Sequence, residues 1–212
     1  MGQIHHSIAA AVLAVVGLIG CAHDIRSVDN ADPVRLAEAK AAMRDLWTGH
    51  IFWIRNVVLD NAVNNPAARD VAEQEVVANA KKIANSITPF YGEKASEKLF
   101  GLLAGHYGAV KDYSEATVAG NRLQQDAALA HLASNADDIA VFLSGANPHL
   151  PKDTVRGLIA AHGAHHVLQI TQFKERDYVH EGETWKVMKQ HVYVIADALT
   201  IALATQFPSK FS

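Results

Sequence analysis

The feature that most constrains this chain of 212 residues is a short pattern that occurs three times at a single interval. A leucine lies four residues before a histidine at Leu46 and His50, and the same pair returns at His106 and at His162, each 56 residues further on. A second pattern, Asn-Ala-x-x-Ile-Ala from Asn79, recurs at the same interval, although its third copy begins with a histidine. Two patterns with one interval predict three tandem units of 56 residues, each a supersecondary unit that packs against its neighbours.

Each unit contains two segments in which apolar residues follow helical spacing. Turn residues separate the segments, at Asn64–Pro66, Pro89–Gly92, Gly120–Asn121, Asn147–Pro151 and His180–Gly182. We therefore predict six antiparallel helices, near residues 34–62, 67–87, 92–118, 122–145, 152–178 and 183–206. No run of alternating β-branched residues predicts a strand. The expected fold class is an all-α antiparallel bundle of three helical hairpins, which short connections favour.

The first 21 residues differ from the rest of the chain. The apolar run Ser7–Gly20 has the length of a signal-peptide core and is shorter than the roughly 20 residues of a bilayer-spanning helix. It ends in Leu18-Ile-Gly-Cys21, which resembles the bacterial lipobox, a motif whose cysteine carries the lipid and becomes the new N-terminus. The segment Met1–His6 departs from a typical signal peptide because it contains neither lysine nor arginine.

The lipobox resemblance implies an exported lipoprotein that is anchored to the membrane through Cys21. Ala22 is compatible with sorting to the outer membrane, which implies a position on its periplasmic face. Residues 22–33 are rich in Asp and Asn and predict a polar tether, so that residues 34–212 form the helical domain. Two alternatives remain: the chain is a secreted protein without lipid, or its N-terminal segment is an anchor helix.

Charge, cysteine content and motifs exclude several classes of protein. Lysine and arginine total 19 against 22 acidic residues, so the chain has no basic surface for nucleic acid. A single cysteine allows neither an intrachain disulfide framework nor a zinc ribbon of cysteine pairs. The nucleophile elbow of hydrolases, the phosphate-binding loop and the dinucleotide fingerprint are missing from the sequence. We therefore predict no catalytic residue, and the sequence indicates no particular protein partner.

Six polar residues interrupt the apolar stripes and form what we call the polar column: His50, Asn79, His106, Asn135, His162 and His191. The predicted hairpins place His50 opposite Asn79, His106 opposite Asn135 and His162 opposite His191. One interpretation is structural, since an asparagine amide can satisfy a buried imidazole and such pairs fix helix register. The other is that His50, His106, Asn79 and Asn135 bind a small cofactor. The sequence leaves both interpretations open.

The third unit is richer in histidine and predicts a metal site. His162 and His166 are one helical turn apart, His165 lies between them, and His191 faces them from the last helix. Imidazole is a good ligand for zinc and copper, and an ordinary pKa near 6.5 makes it neutral and available at physiological pH. We predict zinc or copper at His162, His166 and His191. Haem is a narrower alternative, bound without covalent attachment because the Cys-x-x-Cys-His motif is missing.

Leu-x-x-x-His, Asn-Ala-x-x-Ile-Ala and the turn Asn147-Pro148 together resemble a bacterial family of all-helical proteins that has no settled activity. The resemblance covers about residues 40–204 and implies that the histidine and asparagine positions are family features, but it implies no reaction. Two hypotheses for function follow. The chain is either a tethered lipoprotein that binds a metal or small cofactor through core histidines, or a structural or interaction protein of the envelope without a cofactor.

Overall fold

The computed structural model describes residues 31–212. These residues form helices and no strand, which confirms the all-α class. The helices are α1 (Pro33–Ala62), α2 (Pro66–Asn85), the single turn α3 (Thr88–Tyr91), α4 (Glu93–Ala119), α5 (Arg122–Ala146), α6 (Lys152–Glu175) and α7 (Tyr178–Gln206), followed by a 3-10 turn at Pro208–Lys210. The predicted signal peptide, Cys21 and the tether as far as residue 30 lie outside the described residues.

Three of the six long helices form an inner triangle. Helices α1, α4 and α6 contact one another, and each remaining long helix bridges two of them. Helix α2 contacts α1 and α4, α5 contacts α4 and α6, and α7 contacts α6 and α1. The six helices therefore close around one axis, with the first segment of each hairpin inside and the second outside. The structural equivalence of the three 56-residue units stays a prediction.

Side chains at the predicted turns cap the helices. Asp32 accepts a hydrogen bond from the backbone N–H of Val34 at 2.8 Å, and Asn121 accepts one from Gln124 at 3.2 Å, as preferred N-cap residues do. Helix α4 ends at Gly120, whose φ of 69° lies in the left-handed region that favours glycine. The short connections that these caps define keep sequential helices antiparallel and adjacent.

The turn predicted at His180–Gly182 is wrong. Helix α6 ends before Arg176, whose φ is 61°, and Asp177 caps α7 by accepting a hydrogen bond from the backbone N–H of His180 at 3.2 Å. Because this cap lies upstream, Gly182 is an ordinary interior glycine of α7, which a helix tolerates at a small cost. Glu181 therefore lies in the first turn of α7, where it is buried, and not in a turn between helices.

Within the described residues, α7 is the one helix that is long and apolar enough to cross a membrane by length and composition. It packs against α1 and α6, and it buries Met188, Val192 and Ile195 in the core. This packing accounts for its apolar face in the same way as for the core helices of other bundles.

Candidate metal centre

Four histidines meet on the axis of the bundle, between two clusters of buried apolar side chains. They are His50 from α1, His106 from α4, and His162 and His166 from α6, and none is more than 2% exposed. We call this group the histidine layer. The ring of His106 stacks on that of His162 with centroids 5.5 Å apart and planes 13° apart, and the His50 ring lies 5.5 Å from His162. Trp47 packs its edge against His50 and His162.

Three members of this layer have the separation that a shared ion requires. The Nε2 atoms of His162 and His166, one helical turn apart on α6, are 3.2 Å from each other. One ring nitrogen from each of His50, His162 and His166 lies within 4.8 Å of the other two. Two nitrogens bound to one tetrahedral zinc ion at about 2.0–2.1 Å are about 3.3 Å apart. The His162–His166 pair already has this separation, and His50 needs only a short approach to join it.

Burial keeps the imidazoles of the layer neutral. Loss of hydration, with a smaller contribution from the neighbouring His106, lowers the pKa of His50 to about 3. Loss of hydration also lowers the pKa of His106 to about 4. The pKa values of His162 and His166 lie well below their ordinary range, first because they are buried and then because surrounding imidazoles repel a further positive charge. The neutral imidazole is the form that binds metals.

The outer helices contact the inner ones through one recurring hydrogen bond. The three bonds are Asn79 Nδ2 to Leu46 O at 3.0 Å, Asn135 Nδ2 to Leu102 O at 2.9 Å, and His191 Nε2 to Leu158 O at 2.8 Å. Because a carbonyl oxygen only accepts, Nε2 of His191 carries the hydrogen. His191 thus makes the contact that an asparagine makes in the other two hairpins. Its ring packs against that of His165, with centroids 5.2 Å apart.

The hydrogen bond predicted between the histidine and asparagine of one hairpin forms in one of the first two hairpins. Nδ1 of His106 lies 3.2 Å from Oδ1 of Asn135. Nδ1 of His50 and Oδ1 of Asn79 are both buried without a partner among the described residues. The four residues predicted to bind a small cofactor therefore differ in state, since Asn135 engages Nδ1 of His106 whereas Nδ1 of His50 has no partner among the described residues.

The structure brings together two of the predicted metal ligands, His162 and His166, and adds His50 to them. His191 lies outside this group, because its Nε2 donates to the backbone carbonyl of Leu158. We call His50, His162 and His166 the histidine trio. The available sequence signal for His50 was its position 112 residues before His162, at equivalent places in the first and third units.

Comparison of the chain with models of known protein families, with characterised proteins and with solved structures finds no match.

A chain of buried polar contacts begins one helical turn beyond His166. Gln169 is fully buried, and its Nε2 donates to Oε1 of Glu181 at 2.8 Å. Glu181 also accepts two hydrogen bonds from the guanidinium of Arg55, at 2.7 and 2.6 Å. Nδ1 of His166 and Oε1 of Gln169 have no partner among the described residues. A metal-binding histidine needs an acceptor for its other N–H. Oε1 of Gln169 is an unpaired acceptor on the next turn of α6, although it makes no hydrogen bond to His166.

An apolar cavity of about 50 Å³ lies on the bundle axis beside the histidine layer. His50, His106 and His162 line one end of it, and aliphatic side chains from the inner and outer helices form its walls. The other end lies at Tyr91, whose hydroxyl donates to Oε1 of Gln206 at 2.6 Å and accepts from Nδ2 of Asn147 at 3.0 Å. The cavity thus connects the layer with the end of the bundle that α3 covers.

Proposed function

We propose that this chain is a membrane-tethered lipoprotein of the bacterial envelope whose helical domain binds one zinc or copper ion through His50, His162 and His166. The observation that carries the proposal is the approach of three neutral, buried imidazoles, with two Nε2 atoms 3.2 Å apart and all three ligand atoms within 4.8 Å. Three nitrogen ligands with a fourth position open are typical of zinc and copper sites.

The charge of the site favours copper in its monovalent state over zinc. The group of candidate ligands contains three histidines and neither aspartate nor glutamate. The buried carboxylate of Glu181 is already paired with Arg55. A divalent ion would therefore keep two uncompensated charges in the core, whereas Cu(I) would keep one, and buried charge is costly. A porphyrin is too large for the 50 Å³ beside the trio, which disfavours haem.

The test is a titration of the metal-free protein, purified without an affinity tag, with Cu(I) and separately with zinc. We expect about one equivalent of metal per chain by elemental analysis and a higher Tm, because a ligand that binds only the folded state stabilises it. His166→Gln removes a ligand and keeps a polar side chain of similar size, and it should weaken binding on the order of 100-fold or more. His131→Gln, at an exposed histidine of α5, is the matched control and should bind as the wild type does.

The competing function is a structural or interaction protein of the envelope that holds no cofactor. The observation in its favour is that His106 and His191 both make hydrogen bonds within the protein. It predicts a wild type that takes up neither metal and whose Tm is unchanged by both. That result would refute the metal site, whereas uptake of one equivalent that depends on His166 would refute the competing function.

The membrane tether rests on Leu18-Ile-Gly-Cys21, which precedes the described residues. Cells that express the chain are grown with labelled palmitate and then separated into membrane and soluble fractions. We expect label on the wild type in the membrane fraction and no label on Cys21→Ser. Ala22→Ser, which keeps the cysteine, is the control and should remain labelled. A wild type without label, or a Cys21→Ser variant that keeps it, would contradict the lipid anchor.

A further inference from the structure

We propose that the axial cavity admits and holds a small neutral apolar ligand, of the size of a diatomic gas, as the fourth ligand of a Cu(I) ion in the histidine trio. The inference rests on the proposed metal site and names the class of ligand that this site takes.

The histidine trio leaves one coordination position of the metal open. Three histidines supply three nitrogen ligands, and a metal with this ligand set commonly keeps a fourth position for an exogenous ligand. Two of the trio, His50 and His162, line the cavity directly. On the opposite side the layer meets the packed cluster that includes Ile54, Val57 and Ile170. Space for a fourth ligand therefore lies on the cavity side.

The axial cavity is narrow and limits the size of the ligand. The cavity extends along α1 from Met43 to His50, and seven residues of helix correspond to about 10 Å. Its 50 Å³ accommodate a few water-sized molecules, since each needs at least about 10–15 Å³. A ligand of two or three heavy atoms fits this narrow space, and a larger organic molecule does not.

The walls of the cavity are mainly apolar. Between the histidine layer and Tyr91, the walls consist mainly of aliphatic and aromatic side chains, including Leu103, Ile139, Ile159 and Ile195. An anion or a strongly hydrogen-bonding molecule would lose its hydration there without gaining partners. At the layer itself, the bond from His106 Nδ1 to Asn135 Oδ1 leaves Nε2 of His106 with a lone pair, which is also unfavourable for an anion. The cavity therefore selects for a neutral apolar ligand.

The end of the cavity far from the histidine layer provides a route of entry. Lining residues at the far end of the cavity are partly exposed to solvent, namely Ser86, Tyr91, Ala146 and Leu199. The Tyr91 hydroxyl, held by Gln206 and Asn147, fastens α3 at this end. The geometry points to entry beside Tyr91 and passage along the axis to the trio.

The test uses carbon monoxide as the probe on the Cu(I)-loaded protein. Infrared absorption measures the C–O stretch of bound carbon monoxide, and flash photolysis measures its rebinding rate. We expect about one carbon monoxide per copper, and no displacement of it by azide, an anion of comparable width. Leu103→Phe enlarges a buried wall residue without touching a ligand, so it should retain copper and slow rebinding at least tenfold.

Two further variants make the test specific. Tyr91→Phe removes the hydroxyl that fastens α3, so it should retain copper and speed rebinding several-fold. Leu123→Phe, at an exposed leucine of α5, is the control for Leu103→Phe and should leave the rate unchanged. If Leu103→Phe does not fold, Ile159→Phe fills the same cavity from α6.

The outcomes separate the two proposals. A wild type that holds one copper but no carbon monoxide, or that rebinds it at the same rate when the cavity is filled, would overturn the inference and leave the metal site intact. A wild type that holds no copper would overturn the proposed function, and this inference with it.

Discussion

The Nε2 atoms of His162 and His166 face each other at 3.2 Å in the buried centre of the bundle. Without an ion, one of these atoms must carry a hydrogen and the other must accept it, because two lone pairs or two N–H groups would repel. With an ion, both atoms present lone pairs to it. One backbone geometry thus serves both states, and the protein needs only a change of tautomer in α6, with a small approach of His50, to pass from one to the other.

Replacing His191 by asparagine should leave metal binding intact. Nε2 of His191 donates to the carbonyl of Leu158, and Asn79 and Asn135 make the same contact in the other two hairpins. We expect His191→Asn to bind Cu(I) with an affinity close to that of the wild type. Its free energy of unfolding should change by no more than about 1 kcal/mol, the value of a typical hydrogen bond. Titration and urea unfolding measure the two quantities. Loss of the metal from His191→Asn would instead make this residue a ligand, as the sequence pattern predicts.

The sequence predicted what depends on local spacing. The period of the apolar stripes and the turn residues located five of the six long helices to within a few residues. Helical periodicity depends only on residues that are close together in the sequence. The predicted start of the sixth is wrong because Gly182 resembles a turn residue, whereas the cap at Asp177 determines where α7 begins. Glu181 was therefore missed as the buried partner of Arg55.

The meeting of His50 with His166 could not be predicted in the same way. It depends on how the three hairpins close around the axis, which brings α1 against α6. Local periodicity contains no information on which inner helices become neighbours. The facing of His106 and Asn135, by contrast, was predictable because both belong to one hairpin.

Alanine at Gly49 should destabilise the protein, although alanine is the better helix former. A Cβ atom there would lie 2.9 Å from Nδ2 of Asn79, which donates to Leu46, so the amide would have to move. We expect a net loss of roughly 1 kcal/mol, since overpacking costs about 1–3 kcal/mol and helix propensity returns up to about 1. Urea unfolding of Gly49→Ala measures it.

Gly101→Ala is the matched control, because a Cβ atom at Gly101 in α4 meets nothing within 4 Å. It should stabilise the protein by about 0.5–1 kcal/mol. Equal effects of the two substitutions would show that the approach of Asn79 to α1 does not constrain position 49.

Removing the cation beside Glu181 should be strongly destabilising. Glu181 is 2% exposed, and its carboxylate accepts hydrogen bonds from both Arg55 and Gln169. Arg55→Met leaves a buried charge without its partner, a change that costs about 3–5 kcal/mol. The double variant Arg55→Met with Glu181→Gln removes both charges and should recover at least half of the loss. Urea unfolding of the single and double variants gives the coupling, and additive effects would contradict a direct pairing.

The metal-free protein should lose stability as the pH falls from 7 to about 4.5. In the folded state the pKa of His50 is about 3 and that of His106 about 4, against 6.5 in the unfolded chain. Below pH 6.5 the unfolded chain therefore binds protons that the folded protein does not, so the free energy of unfolding decreases as the pH falls. Each such histidine contributes up to about 1.4 kcal/mol per pH unit in this interval. His162 and His166 act in the same direction, because their pKa values are also lowered.

Urea unfolding at half-unit steps between pH 7 and 4.5 measures this slope, and stopping at 4.5 keeps most carboxylates ionised. His106→Gln removes one buried imidazole, so it should reduce the slope by about the contribution of one proton. His131→Gln, on the surface of α5, should not alter the part of the slope that comes from the layer. A free energy of unfolding that stays constant over this range would mean that the layer takes up protons while folded. Charged imidazoles would then have to coexist on the axis, which is incompatible with a dry core of neutral ligands.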